Sequence, residues 1–333
     1  MVVTLKDVAL QAGVSHTTVS LVLHGEKKIS GKTREKVLAT IEQMKYHPNY
    51  NARSLAKGKT NTIAIMASSF SSHFVMDIIK GIENESAETE FDLNQYSTRA
   101  DKNKEIKQIK SIIYGRRADG IIMISLLPDE ETLKEFKNSN TPVVFIERKI
   151  EGFSSIMTDN EQGGYLAAEQ LIKSGRKNIG IIYGHLDCND CLNAKERYTG
   201  FMQAMKDYGV TYDKSNSANT WYEFDDGINV CREMFERGAR PDGIFCASGD
   251  LVALGFMKEA SRLGIKIPSD LAIIGYDDIL ASSMVSPSLT TIRQPIMKMG
   301  QEAIDITIRT IKGEIKKPVN ITFEPVLTVR ESA

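Results

Sequence analysis

The chain has 333 residues, 41% of them hydrophobic, enough for two or three compact domains. Lysine and arginine (42) nearly balance aspartate and glutamate (43), yet residues 1–60 hold ten basic and four acidic side chains, a net +6 against −7 for the remainder, so only the head is expected to approach a polyanion. No apolar run approaches the about 18 residues of a membrane span, the first residues do not read as a signal peptide, and four cysteines (Cys188, Cys191, Cys231, Cys246) are too few for a disulfide framework, so a cytoplasmic protein with reduced thiols is expected.

Thr4, with Asp7 three residues on, reads as the cap of a first helix in which Leu5, Val8, Ala9 and Ala12 share a face. Gly13 breaks that helix, since glycine takes the left-handed backbone of a tight helix-to-helix turn. Ser15 caps a second helix with Val19, Val22 and Leu23 inward, and a third, starting near 30–33, is expected to bury Val37, Leu38, Ile41 and Met44. It ends at Tyr46-His47-Pro48, because a residue before proline disfavours helix. Two short helices around a glycine turn with a third as brace make a helix-turn-helix. The outward stripe of the second helix, His16, Thr17, Ser20, Leu21 and His24, is the part that such a unit lays in the major groove of DNA. Residues 49–60 can form only about two helical turns, marginal alone in water, and carry Arg53, Lys57 and Lys59; they read as a hinge ordered by DNA or as a plain linker.

From residue 61 onward apolar runs at 62–66, 120–124, 142–146, 179–183, 243–246 and 271–275 alternate with amphipathic patterns near 74–90, 102–114, 160–174, 194–208, 225–237, 249–263 and 295–312, and a further strand begins at 289. Continuous apolar strands between helices imply parallel sheets covered on both faces, and this many strands need more than one doubly wound unit. Ligands of such sheets bind beyond the carboxyl ends of the strands. Those ends carry Ser68, Ser69, Phe70, His73 and Phe74, then Glu147 and Arg148, then Asp159, Arg197, Trp221-Tyr222, Asp250 and Asp277. Carboxylates and guanidinium forks suit sugar hydroxyls, and Phe74 and Tyr222 offer faces to a pyranose or a purine. The same aspartates are equally readable as caps of helices or turns, and Phe70 and Phe74 as core. Cys188 and Cys191 form a CxxC, but no second such pair or HxxxH completes a zinc site, and two loop thiols is the preferred reading. No metal and no cofactor is expected. Nucleotide-binding and hydrolase signatures are missing, so no enzyme is expected either.

The stretches Thr4-Leu5-Lys6-Asp7-Val8-Ala9, Ala12-Gly13-Val14-Ser15, Thr18-Val19-Ser20, Tyr46-His47-Pro48-Asn49 and Ala52-Arg53-Ser54-Leu55 are similar to those of the LacI/GalR family of bacterial repressors, and the resemblance extends over essentially the whole chain. It implies an α/β protein: an all-α helix-turn-helix head at 1–46, a hinge at 47–60, and a body at 61–333 of two doubly wound parallel lobes of the type I periplasmic-binding-protein kind. Lobe one is then expected at 61–158 and 289–318, and lobe two at 159–288 and 319–333, with three crossings between them. The resemblance further implies contacts to double-stranded operator DNA from Thr4, Ser15, His16, Thr17, Thr18, Ser20, Leu21 and His24 in the head. From the hinge it implies Asn49, Ala52, Arg53, Leu55 and Lys57, with Leu55 as a minor-groove wedge. Leu21 departs from the arginine common in the family, and Glu147-Arg148 from the more usual Asp-Arg. The strand-end residues match positions that line the family's effector cleft. The resemblance implies a sugar-like effector, with a purine corepressor as the alternative. It also implies a homodimer with contacts from the helices near 74–90 and 249–263; no heptad tail follows the last strand, so a dimer rather than a tetramer is expected.

Overall fold

Three helices form the described part of the head: α1 (Leu5–Ala12), α2 (His16–Leu23) and α3 (Gly31–Gln43). The computed structural model describes residues 3–23, 28–46, 59–184, 186 and 192–333, and it separates into two units, Met1–Thr60 and Asn61–Ala333. Asp7 N–H donates to Thr4 Oγ1 (3.4 Å) and Thr4 N–H to Asp7 Oδ2 (2.8 Å), a capping box that satisfies amides left free by the first turn. Gly13, at φ 62°, ends α1, and Thr18 N–H donates to Ser15 Oγ (3.1 Å) to start α2. Val8, Ala9, Ala12, Val19, Val22, Val37 and Tyr46 make the core. Leu38 is not part of it: Val37 takes the inward position and the next residue, turned about 100° around the helix, is 47% exposed.

The second unit holds two six-stranded sheets, ordered β2-β1-β3-β4-β5-β11 and β7-β6-β8-β9-β10-β12. The first contains β1 (Thr62–Ala67), β2 (Asp92–Ser97), β3 (Gly120–Ile124), β4 (Val143–Ile146), β5 (Ser154–Thr158) and β11 (Asn320–Phe323), all parallel. Helices α4 (His73–Ser86) and α11 (Ile296–Ile311) cover one face through Val75, Ile78, Met299 and Ile304. The other face is covered by α5 (Lys102–Tyr114) and α6 (Glu130–Ser139) through Ile109, Ile112 and Phe136. The second sheet contains β6 (Ile179–Tyr183), β7 (Ala218–Asn219), β8 (Gly243–Cys246), β9 (Ala272–Asp277), β10 (Thr290–Arg293) and an antiparallel β12 (Val326–Thr328). It lies between α7 (Asn160–Lys173) with α8 (Leu192–Asp207), and α9 (Phe224–Glu236) with α10 (Asp250–Arg262). Inner strands such as β1, β3, β4 and β8 are buried throughout, which is why they read as unbroken apolar runs.

Two expectations on the lobes need correction. Thr290–Arg293 pairs with β9 and belongs to the second lobe, and Asn320–Phe323 pairs with β5 and belongs to the first. The chain therefore crosses between lobes at 158–160, 293–296 and 323–326, and not at 289 and 319. Apolar alternation marks a strand but says nothing of its partner. The strand β2 and helix α6 went unread because both are polar: β2 is an edge strand with no fully buried residue, and α6 buries only Thr132 and Phe136 completely.

In the second lobe α7 and α8 cross in backbone contact. A Cβ on Gly200 would stand 1.8 Å from the carbonyl oxygen of Glu161, and one on Gly164 2.0 Å from that of Arg197. Because this crossing delivers Arg197, Gly200→Ala must part the helices. It is expected to destabilise the protein by about 3 kcal/mol in urea unfolding. An unchanged midpoint would show that the helices separate freely.

Candidate functional site

Carboxyl ends of the strands from both sheets face one cleft of about 380 Å³. In each sheet the strand order reverses next to the first strand, between β1 and β3 and between β6 and β8, and the loops there diverge to leave a crevice. Of the sequence-predicted residues, Ser69, His73, Phe74, Glu147, Arg148, Arg197, Tyr222, Asp250 and Asp277 line it. Phe70 and Asp159 do not. Phe70 packs against the first lobe's core, and Asp159 caps α7, accepting from Gln162 N–H at 2.9 Å. Ser68 lines it as well, and Ser72, Ser125, Asn193, Glu223 and Ser248 do so without having been predicted. Ser125, directly after β3, was open to the strand-end rule; Asn193 lies on α8, where no sequence rule pointed.

Arg197 is buried and rigidly held. Its Nε donates to Asn160 Oδ1 (2.9 Å), one terminal nitrogen donates to the carbonyl of Ala247 (2.8 Å), and the guanidinium lies 3.6 Å over the ring of Tyr276. Tyr276 Oη donates to the same Asn160 oxygen at 3.0 Å, which locks ring and amide together. Such a planar, stacked, forked donor cannot be replaced by a point charge. Asp277 receives Gln294 Nε2 at 2.7 Å. Burial pushes its carboxyl up to about 6, against the opposing pull of Arg197 and Gln294.

Asp250, at the first turn of α10, is also fully buried but already saturated. Its Oδ2 accepts from Ile279 N–H (2.9 Å) and Ser282 Oγ (2.7 Å), and its Oδ1 from Thr291 Oγ1 (2.6 Å). Burial and then the neighbouring Asp277 push its carboxyl up to about 7. Asp250 staples the loop after β9 to the head of α10, the capping role that the sequence left open beside ligand binding.

Across the cleft, Glu147 stands at φ 64° and accepts from Ser125 Oγ and from the amide of Asn193. Arg148 donates to the Asn193 oxygen at 3.2 Å. Asn193 thus joins the end of β4 in one lobe to α8 in the other. Tyr222 is half exposed, its hydroxyl beside Gly184, where a Cβ would stand 2.1 Å from it. The arrangement offers fixed donors, fixed acceptors and aromatic faces from both lobes, the equipment for holding a polar small molecule. No group of metal-ligating side chains occurs among the described residues, and Cys188 and Cys191 lie outside them.

In the head, His16 and Thr17 are exposed at the first turn of α2, Thr4 and Ser15 are exposed at the starts of their helices, and Thr18, Ser20 and Leu21 are half-buried. Thr4, Ser15 and Thr18 are engaged in caps, so their first duty is structural. His24, Asn49, Ala52, Arg53, Leu55 and Lys57 lie outside the described residues.

A helix-turn-helix unit and a two-lobed, ligand-cleft unit on one chain define a DNA-binding regulator with a sensory body. Residues 4–49 match the family of bacterial regulatory proteins known as the lacI family, and residues 168–333 match a periplasmic binding protein-like domain. The chain is 35% identical to the HTH-type transcriptional regulator DegA of Bacillus subtilis (strain 168), covering 100% of this chain and 98% of that one. It is 33% identical to the HTH-type transcriptional repressor PurR of Actinobacillus pleuropneumoniae serotype 3 (strain JL03), over 99% and 98%. The chain belongs to the lacI family, and it is a DNA-binding transcriptional regulator, not an enzyme. Among solved structures it resembles the lac repressor dimer bound to operator and the anti-inducer ONPF, with TM-score 0.87 and 26% identity over 100% and 99% of the chains. It also resembles the transcriptional regulator CelR in complex with cellobiose, with TM-score 0.74 and 29% identity over 99% and 100%. No helix among the described residues is long and apolar enough to cross a membrane.

Proposed function

We propose that this protein is a cytoplasmic, homodimeric repressor whose affinity for operator DNA is set by a sugar-like effector in the cleft between its lobes. The observation that carries the reading is the presence, inside that cleft, of a buried stacked arginine, Arg197, and a partly buried carboxylate, Asp277, with the half-exposed ring of Tyr222. Neighbouring hydroxyls of a sugar can accept from the one and donate to the other, while an apolar ring face meets an aromatic one. The CelR–cellobiose complex shares the fold and supports this ligand class. A purine corepressor is the second reading, favoured by the similarity to PurR and by Phe74, which gives the cleft another aromatic side chain. A thermal-shift screen against sugars, sugar phosphates, nucleosides and purine bases separates them, since a compound that binds the folded state raises the melting point by mass action. A sugar hit supports the inducible repressor, a purine hit the corepressor, and silence across the panel counts against the effector assignment.

Effector binding biases the DNA-ready state only as far as affinity differs between the two arrangements of the lobes. The proposed dimer uses α4 and α10, the helices near 74–90 and 249–263, together with the turn after β9. In that turn, which Asp250 staples, Leu280 (77% exposed) and Met284 (74%) present apolar surface.

Base reading is assigned to His16 and Thr17, with Leu21 against a thymine methyl or packed within the head. Wild-type protein selects a near-palindromic sequence from random duplexes, one half-site per head. On that sequence His16→Ala and Thr17→Ala should each weaken binding about 10-fold or more, with base preference relaxed at one position. A uniform loss on all sequences, with a shallower salt dependence, would make them phosphate contacts instead.

A further inference from the structure

Strand β9 runs into two consecutive residues of left-handed backbone, Asp277 at φ 110° and Asp278 at φ 57°. Neither is glycine, and such backbone persists only where its surroundings over-determine it. Three side chains do so here. Arg330, just past β12, donates to Asp278 Oδ1 at 2.6 Å, and Arg293 to Asp278 Oδ2 at 2.5 Å. Gln294 Nε2 donates to Asp277 Oδ1 at 2.7 Å. Arg293 ends β10 in register beside Asp277, and Gln294 is the next residue, where the chain leaves the second lobe for α11 of the first. The Gln294 side chain is buried, and its Oε1 is enclosed with no hydrogen-bond partner. Asp277 Oδ2 lies beside Gly249, where a Cβ would stand 3.2 Å away.

We propose that Gln294 is the positioning residue for Asp277: from the lobe crossing its amide holds Oδ1 and leaves Oδ2 to a donor of the effector, while Arg293 and Arg330 brace the turn through Asp278. The proposal rests on Asp277 as an effector residue and adds the route by which that residue is tied to the crossing between lobes. A ligand donor that draws Asp277 also draws Gln294, and with it the segment joining β10 to α11.

The test uses the ligand-free, full-length protein. Melting temperature is followed from pH 4.5 to 8 for wild type, Asp277→Asn, Gln294→Leu and Gln294→Glu. Arg197, Gln294, Glu147, Asp77 and Asp250 all act on Asp277, so its titration is taken as the difference between a protein and the same protein carrying Asp277→Asn. Without the Gln294 donor the carboxylate loses a partner of its ionised form, and the midpoint should rise by about half a pH unit or more. Amide exchange at 277–279 should quicken about 10-fold in both variants. A lower melting temperature with an unmoved midpoint in both Gln294→Leu and Gln294→Glu would overturn the proposal and leave Gln294 as filler. D-ribose, cellobiose, adenine and hypoxanthine are then added to wild type and Asp277→Asn. If the midpoint moves as expected but Asp277→Asn keeps the wild-type thermal responses, Gln294 positions Asp277 and the effector reading fails on its own.

Discussion

Replacement of Arg197 by alanine is expected to abolish effector binding, lowering affinity on the order of 100-fold or more for whichever panel compound stabilises the wild type. Hydrogen bonds to a charged donor contribute about 1.5–3 kcal/mol each, and a guanidinium fork makes two to one ligand. The loss reaches the protein itself. The carbonyl of Ala247 is left without its donor, Asn160 Oδ1 keeps only Tyr276, and the ring of Tyr276 loses the cation stacked 3.6 Å above it. Asp277 is left as an uncompensated carboxylate in the same cavity. A fall in unfolding free energy of about 3 kcal/mol is expected. Arg197→Lys should recover little of the binding, because an ammonium cannot reach Asn160, Ala247 and a ligand from one position. Calorimetric titration with the panel compound, together with urea unfolding, checks both parts. A folded Arg197→Ala protein with wild-type affinity would place the effector elsewhere.

The second large effect is on stability against pH. Burial lifts the Asp250 carboxyl to about 7 in the folded protein, whereas an unfolded aspartate titrates near its model value of 3.8. Between those limits the folded state holds a proton that the unfolded state has released. The contribution is therefore full below about pH 4 and is lost as pH rises through 7. The slope is about 1.4 kcal/mol per pH unit, and the whole loss is on the order of 4 kcal/mol. Asp277, lifted to about 6, adds in the same direction over the lower part of the window. Asp250→Asn should flatten the dependence. Its oxygen can take the donors of Ile279 and Ser282, and its amide can donate to Thr291 Oγ1 once that hydroxyl turns to accept. The variant is expected to match wild type near pH 4 and to exceed it by a growing margin up to pH 8 in thermal unfolding. A wild type whose stability is flat from pH 5 to 8, or a variant no better at pH 8, would mean that Asp250 is ionised in the folded protein at ordinary carboxylate values.

These two residues also show how differently the site was legible. Arg197 and Asp250 were both found by position at the ends of predicted strands and helices. Their roles separated only when their partners were known: Arg197 reaches into the cleft, while Asp250 spends one oxygen on the turn that follows β9 and the other on Thr291 of β10. Asp159 was found by the same rule and proved to be a helix cap, and Phe70 an element of core. A strand end is where a ligand binds and also where a helix begins, so a carboxylate there is ambiguous until the direction of its side chain is known.

What the sequence determined by itself is local and periodic. The capping box of Thr4 and Asp7, the left-handed Gly13, the cap at Ser15 and the face of α2 follow from residue type and spacing within one or two helical turns. The buried strands announce themselves because a strand covered on both faces must be apolar at every position. Tertiary structure alone decided the non-local matters. It placed β10 with β9 and β11 with β5, and so moved two of the lobe crossings. It set Asn193 against Glu147 and Arg148 from the opposite lobe. It also held Asp277 and Asp278 in left-handed backbone by means of Gln294, Arg293 and Arg330, residues up to 52 positions away. Periodicity encodes which face of an element is buried; which element it is buried against depends on loop closure and packing over the whole chain, and no window of sequence contains that.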